Sequence, residues 1–216
     1  MECHSLALGC AQTQARNRNA ESKAGGSPNL NASVAQTHVC AHLRSRPRYY
    51  IIGLRKDRLI HRFNWPASVP TPPLDDFLDR NVRRADVQMP SGRRAQENLL
   101  QALAKIKAQG GMPSKDPFVV EVGSGRGPHI MLGVVPCLTR TRCGQGGHFL
   151  CHKNRLATQS EMLRLQGIAP ERLVQPSTVT TRQMNMALGN TSTVAVIEKL
   201  LARMLTCIGM FGDRAS

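Results

Sequence analysis

The segment RPRYYIIGLRKD limits the possible folds of this chain more than any other. Its core of Tyr49, Tyr50, Ile51, Ile52 and Leu54 is dense in β-branched and aromatic residues, with charge on either side. Successive side chains of a strand point to opposite faces, so an unbroken apolar run predicts a strand buried on both. Burial on two faces needs covering layers.

Helices that could supply those layers are legible downstream. SGRRAQENLLQALAKIKAQGG predicts an amphipathic helix with Ser91 as cap, Leu99, Leu103 and Ile106 on one face, and Gly110 and Gly111 as the stop. TQSE is a capping box: Thr158 caps, Glu161 stands three residues on, Met162 and Leu165 face inward, and Gly167 ends the helix. Val194, Ile197, Leu201, Met204 and Ile208 recur at helical spacing near the end of the chain. FVVEV is a second strand, and residues 128–157 are loop-rich with short strands at best. Pro66, Pro70, Pro72 and Pro73 make an extended connector, followed by LDDFLDRN, a short helix at best. The stretch QTQARNRNAESKAGGSPNLNAS has almost nothing to bury, so residues 1–43 are expected to be disordered.

The chain of 216 residues carries a formal charge of +15, and a surplus of that size favours a polyanionic partner, most simply nucleic acid. A solvated basic surface is the alternative. Seven cysteines, an odd number with no CxxC pair, match reduced, intracellular usage. No apolar run approaches membrane-spanning length, and the short apolar stretch Leu6 to Leu8 beside Glu2 is a poor signal peptide.

Three motifs invite a chemical reading. VVEVGSGRG runs from a strand into a glycine-rich loop, as in nucleotide-type cofactor sites. Such a loop needs a helix N-terminus after it and a carboxylate on the next strand. Here Gly133 and Pro136 would break a following helix, and no Asp or Glu occurs between Glu121 and Glu161. A strand leading into a basic hairpin is the better expectation. VVPC presents Cys137 near Arg140 and Arg142, which could lower its pKa, although a plain loop cysteine is the commoner case. Cys137, Cys143, His148, Cys151 and His152 cluster like zinc ligands, but at the spacing of no standard finger, so no metal is expected.

NRLATQSEMLRLQG followed by RQMNMALGNTSTVAVIEKLL resembles the last two conserved blocks of DNA (cytosine-5) methyltransferases. The residues that carry the resemblance are Arg155, Leu156, Glu161, Arg164, Leu165, Gln166 and Gly167, then Gly189, Asn190, Thr191 and the helix from Val194. SRPRYYIIGLRKD is similar to the family's arginine block, with Arg46 and Arg48 on its two arginines and Arg44 where Gln is usual. The resemblance implies an α/β chain with an incomplete S-adenosylmethionine-dependent methyltransferase fold, a C-terminal fragment, with an inserted irregular target recognition domain, and a nuclear location if the source is eukaryotic. The expected organisation is residues 44–66 as arginine block and catalytic-domain strand, 67–154 as target recognition region, and 155–208 as helices returning to the catalytic domain. The family's cofactor loop, Pro-Cys-Gln nucleophile and Glu-Asn-Val block normally precede the arginine block. The residues before Arg44 carry none of them.

That family adds a cysteine thiolate to C6 of a flipped cytosine and moves a methyl group from S-adenosylmethionine to C5. By motif match, Arg46 and Arg48 would stabilise charge on the ring, or they are simply flanking charges of a strand. Asn190 would stand beside the cofactor pocket, or in a turn after Gly189. Arg164 and Gln166 would brace the recognition region. Arg126, Thr139, Arg140, Arg142, Gly146 and Gly147 are the candidate DNA contacts, because arginines reach phosphate or guanine edges and glycines admit the backbone. From Val122 to Ser160 the cations are Arg126, Arg140, Arg142, Lys153 and Arg155, with no acid. The expected activity is DNA methylation on duplex DNA, with none from this chain alone. An RNA-directed member of the same family and a noncatalytic nucleic-acid-binding module are the alternatives.

Overall fold

The computed structural model describes residues 30–37, 44–45, 48–67, 70, 72–144 and 147–211. An antiparallel sheet lies at its centre, in the order β5-β4-β7-β8. The strands are β4 (Phe118–Glu121), β5 (His129–Leu132), β7 (His148–Leu150) and β8 (Arg155–Leu156). β4 sits between two partners, with Glu121 opposite His129 on one side and His148 on the other. FVVE is a strand for the reason its sequence gives: consecutive β-branched residues alternate between two apolar faces.

Those faces bury different layers. Val120, Val122 and Phe149 pack with Ala95, Leu99, Ala102 and Ile106 of α1 (Arg93–Ala108). Val119 and Leu150 point the other way, into a cluster with Leu74, Leu138, Met162, Leu165 and Leu188. Each fully buried Val, Leu, Ile, Phe or Met side chain among these contributes roughly 1.5–3 kcal/mol by leaving water. The spacing of Leu99, Leu103 and Ile106 located α1 correctly, although Leu103 is only half-buried. Its start differs from expectation: Gly92, not Ser91, is the N-cap, and no side chain caps the helix.

The remaining helices are α2 (Arg140–Gly144), α3 (Gln159–Leu165), α4 (Thr181–Asn190) and α5 (Val194–Cys207). α3 carries the full capping box, with Glu161 N–H donating to Thr158 Oγ1 and Thr158 N–H donating to the Glu161 carboxylate. α4 has the same device between Thr180 and Gln183. The buried stripe of α5 is offset from the expected one. Val196, Leu200 and Cys207 are buried, whereas Leu201 is 46% exposed.

The strand that opened the argument is β3 (Arg48–Arg55), and two expectations about it are corrected. It is buried on one face only. Ile52 and Leu54 pack with Cys207, Trp65, Phe63 and Met204, while Ile51 is 74% exposed, because its sheet is covered by α5 on one side alone. Its partner is β1 (Leu30–Thr37), which pairs antiparallel from Leu30 opposite Arg55 to Thr37 opposite Arg48. Part of the expected disordered segment 1–43 is therefore a strand. LNASVAQT places Leu30, Ala32 and Val34 at every second position, an alternation weakened by small side chains. β2 (Arg44–Ser45) and β6 (Val135–Pro136) form a short parallel pair. Among the described residues no helix is long and apolar enough to cross a membrane.

Candidate functional site

The sequence blocks LTRTRC and LGN, some fifty residues apart, meet in space. α2 lies across α4, and the contact is at Gly189. A Cβ there would overlap the backbone of Thr139 and Arg140. Gly189 therefore serves close approach between two backbones, not a turn. It lies inside the last turn of α4 together with Asn190, which corrects the expected turn at Gly-Asn. Asn190 is exposed, and the helix ends at Thr191, whose hydroxyl donates to the Leu188 carbonyl.

Around this crossing stand four of the expected DNA contacts. Arg140 is exposed and Thr139 half-buried. Gly147 takes φ +73, a left-handed conformation that glycine permits, and its N–H donates to the Arg142 carbonyl. Arg142 lies with Nε 3.4 Å from the Glu121 carboxylate, which is fully buried and accepts no side-chain hydrogen bond. Burial pushes the Glu121 pKa up, opposed by the Arg142 charge.

The basic segment is less free than its sequence suggests. Arg155 is buried and forks onto Glu161, Nη2 to Oε1 at 2.6 Å and Nη1 to Oε2 at 2.8 Å. Lys153 pairs with Asp75 at 2.8 Å, and the hydrogen bond from Lys153 is the first cause holding that carboxyl below its usual range. The expectation of five cations without an opposing acid is thus corrected. Glu121, Asp75 and Glu161 fold onto three of them, leaving Arg126 and Arg140 as exposed cations without an ion pair among the described residues.

Arg164 and Gln166, expected as bracing residues, each make tertiary contacts. Arg164 binds the Asp79 carboxylate and the Phe77 carbonyl. Gln166 is fully buried, donates its amide to the Leu188 carbonyl, and accepts the Val194 N–H on its own carbonyl. The residue that ends α3 thus ties α4 to the start of α5. Of the arginine block, Arg46 lies outside the described residues, and only the backbone of Arg48 is described, opposite Thr37. Gly146 also lies outside them.

The glycine loop 123–127 is a turn between antiparallel strands, not a strand-to-helix turn. Asn98, buried in α1, donates 2.8 Å hydrogen bonds to the carbonyls of both Val122 and Ser124 and clamps the loop to the helix. With β5 returning antiparallel and no carboxylate on it, these residues lack the following helix and the next-strand carboxylate that such a cofactor loop uses. Asn98 was not singled out from sequence, since an Asn within a helical pattern gives no sign of its partners. Among the described residues no three of His, Cys, Asp and Glu converge as metal ligands. Cys143 and Cys151 are buried, and burial raises the Cys151 thiol to about 11, far from a reactive thiolate.

A cleft of about 850 Å³ opens between the start of α1, the loop at Gly123 and the first half of α4. A second chamber of about 400 Å³ shares Gln88, Leu156, Ala157, Met162 and Asn185 with it. Two exposed arginines line the larger one without an ion pair among the described residues, Arg94 and Arg182. The sequence held a signal for the first: SGRR starts a helix with two cations and no acid, against the helix dipole.

No protein-family model and no curated protein matches the chain. Among solved structures, the Entamoeba histolytica methyltransferase EhMeth matches over 82% of this chain and 53% of its own, with a TM-score of 0.50 and 17% identity. The S. pombe Dnmt2 methyltransferase matches over 84% of this chain and 57% of its own, with a TM-score of 0.47 and 16% identity. The chain spans about half the length of the solved structures it matches. At such identity the likeness to EhMeth speaks for fold alone: the α/β fold of this chain resembles that of the matched part of EhMeth.

Proposed function

We propose that this chain is the substrate-holding portion of a DNA (cytosine-5) methyltransferase. In this reading it binds duplex DNA through the α2–α4 crossing and does not transfer methyl groups by itself. The observation that carries the reading is the Gly189 contact. It sets Thr139 and Arg140, candidate contacts of the recognition region, against Gly189 of one of the blocks on which the sequence resemblance rests. The chemistry left to these residues is binding. Arg140 offers a forked donor set to a phosphate or a guanine edge, Gly147 brings backbone close to the strand, and Arg164 and Gln166 hold the helices in register.

The test pairs binding with activity. Titrating the chain with duplex DNA, with transfer RNA as competitor, should show salt-dependent binding that favours the duplex. Calorimetry with S-adenosylmethionine should show no saturable site in the micromolar range. Methyl incorporation into cytosine by this chain alone, or an S-adenosylmethionine site lost in Gly125→Val, would reverse the assignment. Tighter binding to transfer RNA would shift the substrate to RNA.

A further inference from the structure

The seam between α2 and the central sheet holds a carboxylate that its surroundings only half satisfy. Both oxygens of Glu121 are shut off from solvent and accept no side-chain hydrogen bond. The charged and titratable groups facing it are Arg142 of α2, at 3.4 Å through Nε, and, directly opposite in register, His129 of β5 and His148 of β7. Contact at that distance is a loose charge clasp, unlike the two short bonds from Arg155 to Glu161. Burial favours the neutral carboxyl, and the Arg142 charge is the strongest influence against it. The Arg142 side chain also stays partly exposed, on the surface read above as the DNA contact. Its backbone is held separately: Gly147 N–H donates to the Arg142 carbonyl and Cys143 N–H to the Thr139 carbonyl. The side chain is thus free to change partner while α2 stays in place.

We propose that Glu121 is a proton switch for the α2 surface: as Arg142 leaves it for a DNA phosphate, Glu121 takes up a proton from solvent. The inference rests on the nucleic-acid reading above and adds its regulation. A buried carboxylate stripped of its cation is too costly to stay charged, so the proton takes the place of the guanidinium. Linkage makes the effect reciprocal: duplex binding draws the proton in, and a protonated Glu121 strengthens duplex binding by the same factor. At pH above the Glu121 titration the ionised carboxylate keeps Arg142, and Arg140 meets the strand without it. As pH falls through that titration, Arg142 is released and joins Arg140. Affinity for the duplex therefore rises on acidification, through a buried group that the DNA never touches.

The test measures duplex DNA binding by the full chain from acid to neutral pH. Calorimetry in two buffers of different ionisation enthalpy counts the protons taken up. Wild type is expected to take up protons on binding, and its log–log salt slope should be about 0.9 steeper at acid than at neutral pH, the share of one phosphate contact. Glu121→Gln, neutral at every pH, should lose that uptake and keep the steeper slope throughout. Arg142→Ala should lose the uptake and keep the shallower slope, so the outcome does not hang on one variant folding. His129→Gln should retain the uptake, which separates Glu121 from the exposed imidazole opposite it. In the free chain, the Arg142 Nε–H signal, identified by its loss in Arg142→Ala, should shift in a nitrogen-15 NMR pH titration of wild type and hold still in Glu121→Gln. Duplex binding without proton uptake, uptake undiminished in Glu121→Gln, or an Arg142 signal that ignores pH overturns the switch and leaves the α2–α4 reading standing. No duplex binding at any pH removes that reading and the switch with it.

Discussion

At the scale of single residues, two buried carboxylates of this chain have opposite characters, and each makes a prediction. Glu161 is fully buried but saturated: it takes both arms of Arg155 and the N–H groups of Asp79 and Thr158. Glu161→Gln would leave Arg155 buried without its counter-charge, at a cost of about 3–5 kcal/mol. Urea unfolding of the variant should show that loss, and a loss below about 1 kcal/mol would mean that the pair is not buried in solution. Glu121 is equally buried but accepts no side-chain hydrogen bond, and the groups facing it are Arg142, His129 and His148. Its folded-state pKa is raised, so the folded chain binds a proton more readily than the unfolded chain. The resulting stabilisation is complete below the ordinary carboxylate range and is lost as pH rises through the raised value. Glu121→Gln should remove that decline, giving a flatter stability curve across this window. A decline of equal steepness in the variant would show that other groups cause it.

At the scale of elements, what could be read in the sequence depended on whether a signal was local. The α3 capping box was complete within four residues, and the apolar spacing of α1 within three turns, so both elements stand where expected. β1 was missed because its alternation is carried by Ala and Val among polar residues, and only its partner β3 makes it a strand. β3 was assigned two buried faces because hydrophobicity alone cannot say how many layers cover it. α4 was missed because Gly189 and Asn190 suggest a turn, whereas the glycine is there for a neighbour fifty residues away in sequence. The α2–α4 crossing therefore gives the sharpest element-level prediction. Gly189→Ala in an isolated helix would gain about 1 kcal/mol from propensity. Here the new methyl meets the Thr139–Arg140 backbone, an overpacking that typically costs 1–3 kcal/mol and would push α2 away. The variant should be less stable than wild type and should bind DNA more weakly. A more stable variant would show that α2 does not rest on α4.

At the scale of the whole molecule, the +15 charge is a property of the sequence, but its use depends on the fold. Sequence alone offered five cations between Val122 and Ser160, and the fold pairs Lys153 with Asp75 at the surface, buries Arg155 against Glu161 and holds Arg142 near Glu121. The cations left for the proposed DNA contact are Arg140, Arg126 and, at 35% side-chain exposure, the outer part of Arg142. Each phosphate neutralised on duplex DNA steepens the log–log salt dependence by about 0.9. Arg140→Ala should therefore reduce the slope by about 0.9 if it contacts a phosphate. Should Arg140 instead meet a guanine edge, the slope would hold while discrimination among sequences dropped by roughly 1–3 kcal/mol. Arg142→Ala should reduce the slope by less than Arg140→Ala, because Glu121 already screens that charge. Arg155→Ala should leave the slope unchanged and lower stability, since a buried, paired guanidinium cannot reach a phosphate. A salt titration of these three variants on several duplexes ranks them directly. Equal effects from all three would mean that the positive field acts as a diffuse whole, whereas the order Arg140, Arg142, Arg155 would follow from the ion pairs seen in the fold.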